Sequence, residues 1–195
     1  MPKKLLDAHG NPYLREYQTS ESVKDRYSLR LYHERESCVK KYSWAIPTDE
    51  AIAQLVKYSP IIEIGAGLGY WAALAHIQGC VYDAYDQDIS NKNAYVADDA
   101  TPWFPVREGS IPELADHPGS TLFLCWPDYD SSFAFDALKA YKGERVIYVG
   151  EGEGGCTGDD AFHERLNRKW NHIGNVELPQ WPGIHDFMSI WERKH

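Results

Sequence analysis

Short unbroken apolar runs alternate along this chain with stretches of helical spacing, the pattern of strands buried on both faces and joined by amphipathic helices. Residues 1–25 are polar and turn-rich around His9-Gly10-Asn11-Pro12 and predict an irregular arm. Helical character begins over 26–41, with Leu29, Leu31, Tyr32 and Val39 as anchors. Thr48 is placed to cap a helix over 49–58, where Asp49 and Glu50 suit the first turn and Ile52, Leu55 and Val56 share a face. The apolar run Ile61-Ile62-Glu63-Ile64 predicts a first strand. A helix over 70–78 follows, closed by Gly79, then a second strand over 80–86.

Residues 87–104 show little period, so no full crossover helix is predicted there. A short strand over 106–110 and helical turns over 111–117 come next. Thr121-Leu122-Phe123-Leu124-Cys125-Trp126 and the run over 145–150 read as buried strands, with a helix over 131–141 between them. A glycine-acid loop over 151–158 leads to a helix over 159–170. Two late strands, over 173–178 and 187–193, end the chain. Alternation of this kind predicts an α/β fold: a doubly wound, mainly parallel, seven-stranded sheet with an antiparallel terminal strand and helices on both faces. Residues 42–195 make up this domain and residues 1–41 a partly helical N-terminal extension.

Composition narrows the function classes. The 195 residues carry a formal net charge of −9, which weighs against tight autonomous binding of a phosphate backbone. No apolar run approaches the ~18 residues of a membrane helix. The start has no long apolar stretch, and the four cysteines are widely spaced with no Cys-x-x-Cys pair, so a cytoplasmic protein with free thiols is expected. Thirteen Tyr and seven Trp against six Phe favour rings with one wet end, as in a pocket wall.

The most informative stretch is Glu63-Ile64-Gly65-Ala66-Gly67-Leu68-Gly69-Tyr70, a glycine turn between the first strand and its helix. Glycines there permit positive φ and remove the Cβ atoms that would collide with a ligand, while the helix offers free N–H groups. The dinucleotide fingerprint Gly-x-Gly-x-x-Gly is missed, because Tyr70 stands where the third glycine belongs. Asp86 ends the second strand at about the separation expected of an acid that receives ribose hydroxyls. Asp83 lies inside that strand and Asp88 just past it.

The string Glu-x-Gly-x-Gly-x-Gly resembles motif I of the class I, Rossmann-like S-adenosylmethionine-dependent methyltransferases. That resemblance implies S-adenosylmethionine as cofactor. Gly65, Ala66, Gly67 and Gly69 would wrap its amino-acid end, Glu63 would lie near its ammonium and Asp86 on its ribose. Ser110, at the end of the third strand where relatives carry an acid, would reach the adenine. The late antiparallel strands fit the same family, and Tyr42 to Thr48 would cover the cofactor's methionine end.

Cys125-Trp126-Pro127-Asp128-Tyr129 resembles the Asp/Asn-Pro-Pro-Tyr/Phe motif of amino-group methyltransferases. Trp126 stands where the acid or amide belongs, and Asp128 replaces the second proline. Cys125 and Trp126 would flank the cofactor. Asp128, Tyr129 and Glu151, all at the C-terminal edge of the predicted sheet, are the candidate catalytic residues for an amine or other small polar acceptor. The loop opened by Glu151 reads as a mobile cover. Cys156 and His163 have no third ligand at metal spacing, and no metal is expected. Two alternatives stay open. One is a binding module that retains the cofactor pocket without transfer. The other is a nucleic-acid base N-methyltransferase, for which Arg26, Arg30, Arg35, Lys40 and Lys41 are the dense basic set.

Overall fold

The computed structural model describes residues 10–20, 29–89 and 100–195. Seven strands form one sheet: β1 (Ile61–Ile64), β2 (Tyr82–Asp86), β3 (Arg107–Glu108), β4 (Thr121–Cys125), β5 (Arg145–Gly150), β6 (Trp170–Glu177) and β7 (Phe187–Arg193). Their order is β3-β2-β1-β4-β5-β7-β6. β1 pairs in parallel with β2 and β4, β2 with β3, and β4 with β5. β7 runs antiparallel between β5 and β6. The predicted doubly wound sheet with its antiparallel last strand is therefore the architecture, and the order reverses beside β1, where open α/β sheets bind ligands.

The central strands β1, β4 and β5 form because they are apolar on both faces, whereas the edge strands β3 and β6 are largely exposed. β1 is buried at every position, and Ile61 faces one core while Ile62 and Ile64 face the other. The first core lies under α3 (Asp49–Lys57) and α4 (Tyr70–Ile77), and includes Ile52, Leu55, Trp71, Phe123, Val149 and Met188. The second lies under α5 (Phe133–Ala140) and α6 (Asp160–Lys169), and includes Leu122, Leu138, Tyr148, Phe162 and Trp170. Local signals set the helix ends. Thr48 Oγ1 accepts from Ala51 N at 3.2 Å and Asp159 Oδ1 from Phe162 N at 2.9 Å. Between β3 and β4 the chain makes a 3-10 helix over Ile111–Asp116. β3 is shorter than predicted, and β6 begins at Trp170, directly at the end of α6.

The N-terminal region departs from the expected irregular arm. Residues Pro12–Thr19 form α1 in place of that arm, while Leu29–Lys41 form α2 within the predicted helical stretch. Asn11 Oδ1 accepts from Leu14 N at 3.0 Å, and Pro12 supplies a preset φ at the helix start. The cap and proline were legible; their force was not, because the helix is fastened by distant partners. Tyr13 is fully buried, stacks on Tyr42 at 5.0 Å and accepts from Trp181 Nε1 at 2.9 Å. Tyr17 donates to the Gln180 carbonyl at 2.8 Å. Residues 1–9 and 21–25 of that predicted arm, 26–28 of the predicted helix, and 90–99 lie outside the described residues. No helix among the described residues is long and apolar enough to cross a membrane.

Candidate functional site

The glycine turn sits at the C-terminal ends of β1 and β2. Gly65 N and Ala66 N both donate to the Tyr85 carbonyl, at 2.9 and 3.0 Å, which ties the turn to the strand that carries Asp86. Gly67 N donates to Asp86 Oδ2 at 2.8 Å, and Asp88 N donates to Oδ1 at 2.9 Å. Gly65, Gly67 and Gly69 all have positive φ, at 79°, 53° and 70°. Gly65 and Gly67 are exposed, and a Cβ on Gly67 would meet nothing within 4 Å. The result is an exposed turn of open backbone, with one carboxylate fixed beside it. A nucleoside carrying two adjacent hydroxyls suits that geometry, since the turn leaves room for close approach and the acid accepts hydrogen bonds.

Gly69 has a different task. A Cβ there would lie 2.8 Å from Phe104 Cβ and 2.9 Å from Val106 Cγ2, so the segment before β3 closes down on it. Trp103 N donates to the Leu68 carbonyl at 2.8 Å and Trp103 Nε1 to that of Lys41 at 2.8 Å, which draws the same segment over the turn. Tyr70 points away from the turn into the N-terminal cover, where its hydroxyl bonds Asn11 Oδ1 at 2.8 Å. This explains how a tyrosine occupies the position where a dinucleotide fold needs glycine. Gly69→Ala should cost about 2–4 kcal/mol, from a left-handed backbone plus overpacking. Gly67→Ala should cost only the backbone part, about 1 kcal/mol. Urea midpoints of the two variants give the comparison; equal losses would refute the packing role of Gly69.

Glu63 is 2% exposed in mid-β1, where Tyr82 Oη donates to its Oε2 at 2.9 Å. Burial pushes its carboxyl up to about 8, with repulsion from Asp86 adding to the rise and the Tyr82 hydroxyl opposing it. At neutral pH it is a protonated acid in the sheet, and an ammonium brought beside it would have to displace that proton.

Ser110 follows Gly109, whose N donates to the Asp86 carbonyl at 3.0 Å, so Ser110 stands next to Asp86. Phe133, at the start of α5, lies 3.6 Å from the position of a Gly65 Cβ and forms a wall that sequence reading did not single out.

A second constellation lies at the ends of β4 and β5 and the start of β7. Trp126 follows β4 with φ 53°, the one non-glycine residue of positive φ among the described residues, a conformation that costs roughly 1–3 kcal/mol. It is held there by Trp126 N to the Val149 carbonyl at 2.8 Å and by Nε1 to Asp186 Oδ2 at 2.9 Å. Its ring stacks on Trp44 at 5.2 Å. The Arg35 guanidinium lies 5.5 Å from the Trp44 ring centre and 5.9 Å from that of Trp126. Cys125 sits beside them with its thiol pushed well up by burial, and by the carboxyls of Glu63 and Asp186.

Glu151 is a clasp. Its Oε1 accepts from His185 N at 2.8 Å and its Oε2 from Cys156 N at 2.8 Å. Burial alone would raise its carboxyl; the two amides outweigh that and hold it below the usual range. The loop after it, read from sequence as a mobile cover, is tied down. Glu151 N donates to Thr157 Oγ1 at 2.7 Å, Asp128 and Thr157 form an isolated antiparallel bridge, and Gly158 N donates to the Pro127 carbonyl at 2.9 Å. Asp128 is exposed and accepts from Asp130 N at 3.1 Å, and Tyr129 is 41% exposed.

The structure thus gathers Gly65, Ala66, Gly67, Gly69, Asp86 and Ser110 at one end. Cys125, Trp126, Asp128, Tyr129 and Glu151 gather at the other. Sequence reading missed Asp186, which follows His185 in the Trp181-Pro182-Gly183-Ile184-His185 turn. A carboxylate ending an aromatic turn was the available signal. It also missed Arg35 as anything but part of a basic set. Within that set Arg30 pairs with Glu34, Lys40 with Glu36 and Lys41 with Glu16, so acids neutralise three of its members; Arg26 lies outside the described residues. Among the described residues no group of three or more His, Cys, Asp or Glu is placed to hold a metal ion.

No family model matches the chain, and no curated protein matches it. Solved structures do. A magnesium protoporphyrin IX methyltransferase from Synechocystis PCC 6803 with bound S-adenosylmethionine is 14% identical over 98% of this chain and 95% of that chain, with a TM-score of 0.48. An N-methyltransferase from Bradyrhizobium japonicum is 12% identical over 75% of this chain and 96% of that chain, with a TM-score of 0.48. A putative tRNA (m1A22) methyltransferase from Streptococcus pneumoniae is 10% identical over 75% and 71%, with a TM-score of 0.47. Likeness at this level carries no inference about activity.

Proposed function

We propose that the chain is a class I S-adenosylmethionine-dependent methyltransferase acting on an amine or another small polar group. The observation that carries this reading is the bond from Gly67 N to Asp86 Oδ2, which sets an open glycine turn and an acid side by side at the point where the strand order reverses. The turn fits the cofactor because the space above Gly67 is empty and that above Gly65 is bounded only by Phe133. S-adenosylmethionine, when bound, supplies a methyl group already activated on a sulfonium.

The chain's own residues then have three tasks. Gly65, Ala66, Gly67 and Gly69 hold the amino-acid end, Asp86 the ribose hydroxyls, and Ser110 and Phe133 the base. Trp126, fixed by Asp186, and Trp44 shape the far wall and exclude water. Glu151, with both carboxylate oxygens engaged by amides, positions the loop over Asp128 and Tyr129 at the mouth.

Calorimetry with S-adenosylmethionine and with S-adenosylhomocysteine tests the reading. One site per chain is expected for each, followed by transfer of labelled methyl into the small-molecule fraction of a cell extract. Absence of binding would refute the proposal. Binding without transfer into any fraction would leave a cofactor-binding module, and label in nucleic acid would identify a base methyltransferase.

A further inference from the structure

Two buried atoms at the second constellation lack partners, and they carry opposite charge. Asp186 is 2% exposed; Trp126 takes its Oδ2, while Oδ1 has no hydrogen-bond partner. Arg35 Nε is also buried without a partner, and no ion pair to Arg35 is found among the described residues. Leaving the buried Asp186 carboxylate half-satisfied costs more than an ordinary missing hydrogen bond, and Arg35, half-buried as a residue, adds a sequestered Nε–H. Both groups bear on the same stacked pair of rings, Arg35 over Trp44 and Trp126, and Asp186 on the indole N–H of Trp126.

We infer that Asp186 and Arg35, set against the Trp44–Trp126 stack, form the acceptor site, and that the acceptor is a small zwitterion whose amine is held by Asp186 and whose acidic group is held by Arg35. The inference rests on the methyltransferase reading and deepens it.

Location sets Asp186 on the acceptor side rather than on the cofactor side. Asp186 immediately precedes β7, and β7 lies beyond β4 and β5 from β1, which is roughly 14 Å at the usual strand spacing. The glycine turn is at β1; Trp126, after β4, stands between. Charge argues for a zwitterion over a simple cation. A bare ammonium would meet the Arg35 guanidinium without compensation, whereas a molecule with both charges satisfies both orphans, with its apolar stem on the indoles. Burial lifts the Asp186 carboxyl to about 6; the Trp126 indole, its own backbone N–H and Arg35 oppose the rise, and Glu151 adds to it. Asp186 is therefore still ionised at neutral pH and is a better proton acceptor than an exposed aspartate.

In the transfer, Asp186 Oδ1 takes one N–H proton from the acceptor's ammonium, leaving a neutral amine. The amine lone pair forms the new N–C bond to the methyl carbon. The C–S bond of the sulfonium breaks, and its electron pair stays on sulfur as a neutral thioether. The product leaves as a methylated ammonium, and the proton on Asp186 passes to solvent.

The test uses the full chain saturated with S-adenosylhomocysteine and titrated calorimetrically with matched triplets: phenylalanine, phenethylamine and 3-phenylpropionate, then the other standard amino acids with their decarboxylated and deaminated counterparts. At least one amino acid should bind at least ~10-fold more tightly than either counterpart, and accept labelled methyl from S-adenosylmethionine. Asp186→Asn should abolish transfer to it. Arg35→Gln should raise KM for the amino acid and lower KM for the matching amine, whose ammonium no longer meets an uncompensated guanidinium. Both variants should bind S-adenosylhomocysteine within about 2-fold of the parent, which also reports that they fold.

The inference is overturned if no amino acid binds while cofactor binding is intact, or if the plain amine binds as well as the amino acid. It is overturned equally if either variant weakens S-adenosylhomocysteine by ~10-fold or more, since the pair would then serve the cofactor's own amino-acid end. Failure of the parent chain to bind S-adenosylhomocysteine would instead overturn the methyltransferase reading.

Discussion

Asp86→Ala should lower affinity for S-adenosylmethionine by about 10²–10⁴-fold. Two hydroxyl hydrogen bonds to an ionised acceptor are worth about 1.5–3 kcal/mol each, and every 1.4 kcal/mol is about tenfold. The loss has a second source in this structure. Asp86 Oδ2 receives Gly67 N at 2.8 Å, so the same carboxylate that would bind the ribose also holds the glycine turn in its open shape. Asp86→Asn separates the two contributions. It keeps an oxygen for Gly67 N and loses the charge, so it should recover part of the affinity. Neither change should unfold the protein, because Asp86 lies at a strand end, half-exposed. Calorimetric titration measures the loss; an Asp86→Ala variant that binds within about 2-fold of the parent would remove this carboxylate from the site.

The second large effect is a dependence of stability on pH set by Glu63. Its folded carboxyl is raised to about 8 from the unfolded value of 4.5. With the folded value above the unfolded one, the native state holds the proton that the unfolded chain has released. The contribution to stability is therefore complete below about pH 4.5 and is lost as pH rises toward 8. The slope over that window is about −1.4 kcal/mol per pH unit. Asp186, raised to about 6, adds a slope of the same sign lower in the range, so the interval from about pH 6.5 to 8 isolates Glu63. Glu63→Gln keeps the shape and an acceptor for Tyr82, and has no proton to lose. Its urea midpoint should be flat across that interval while the parent's falls. Parallel profiles for the two proteins would show that Glu63 is ionised in the fold.

These effects separate what short stretches of chain encode from what folding assembles. The Thr48 and Asp159 caps, the glycine turn and Asp86 were all readable because each depends on neighbours a few residues away or on strand periodicity. Both caps form with the expected amide, and the seven strands appear in the predicted succession. Residues 12–19 were misread as irregular because the contacts that fasten α1 come from Tyr42, Tyr70 and Trp181. The 151–158 loop was misread as a free cover because its four glycines signal flexibility only when nothing ties them, and here the clasp at Glu151 and the bridge from Asp128 do.

By itself the sequence determined an alternating α/β chain with a backbone-floored turn and an acid one strand later, since periodicity, caps and positive-φ glycines act locally. Tertiary structure alone decided three things. Asp186 meets Trp126 across a separation of 60 residues, Glu63 lies in the sheet with its proton on, and both oxygens of Glu151 are engaged by amides. The reason is that desolvation and long-range hydrogen bonding are sums over neighbours that only the folded chain brings within reach.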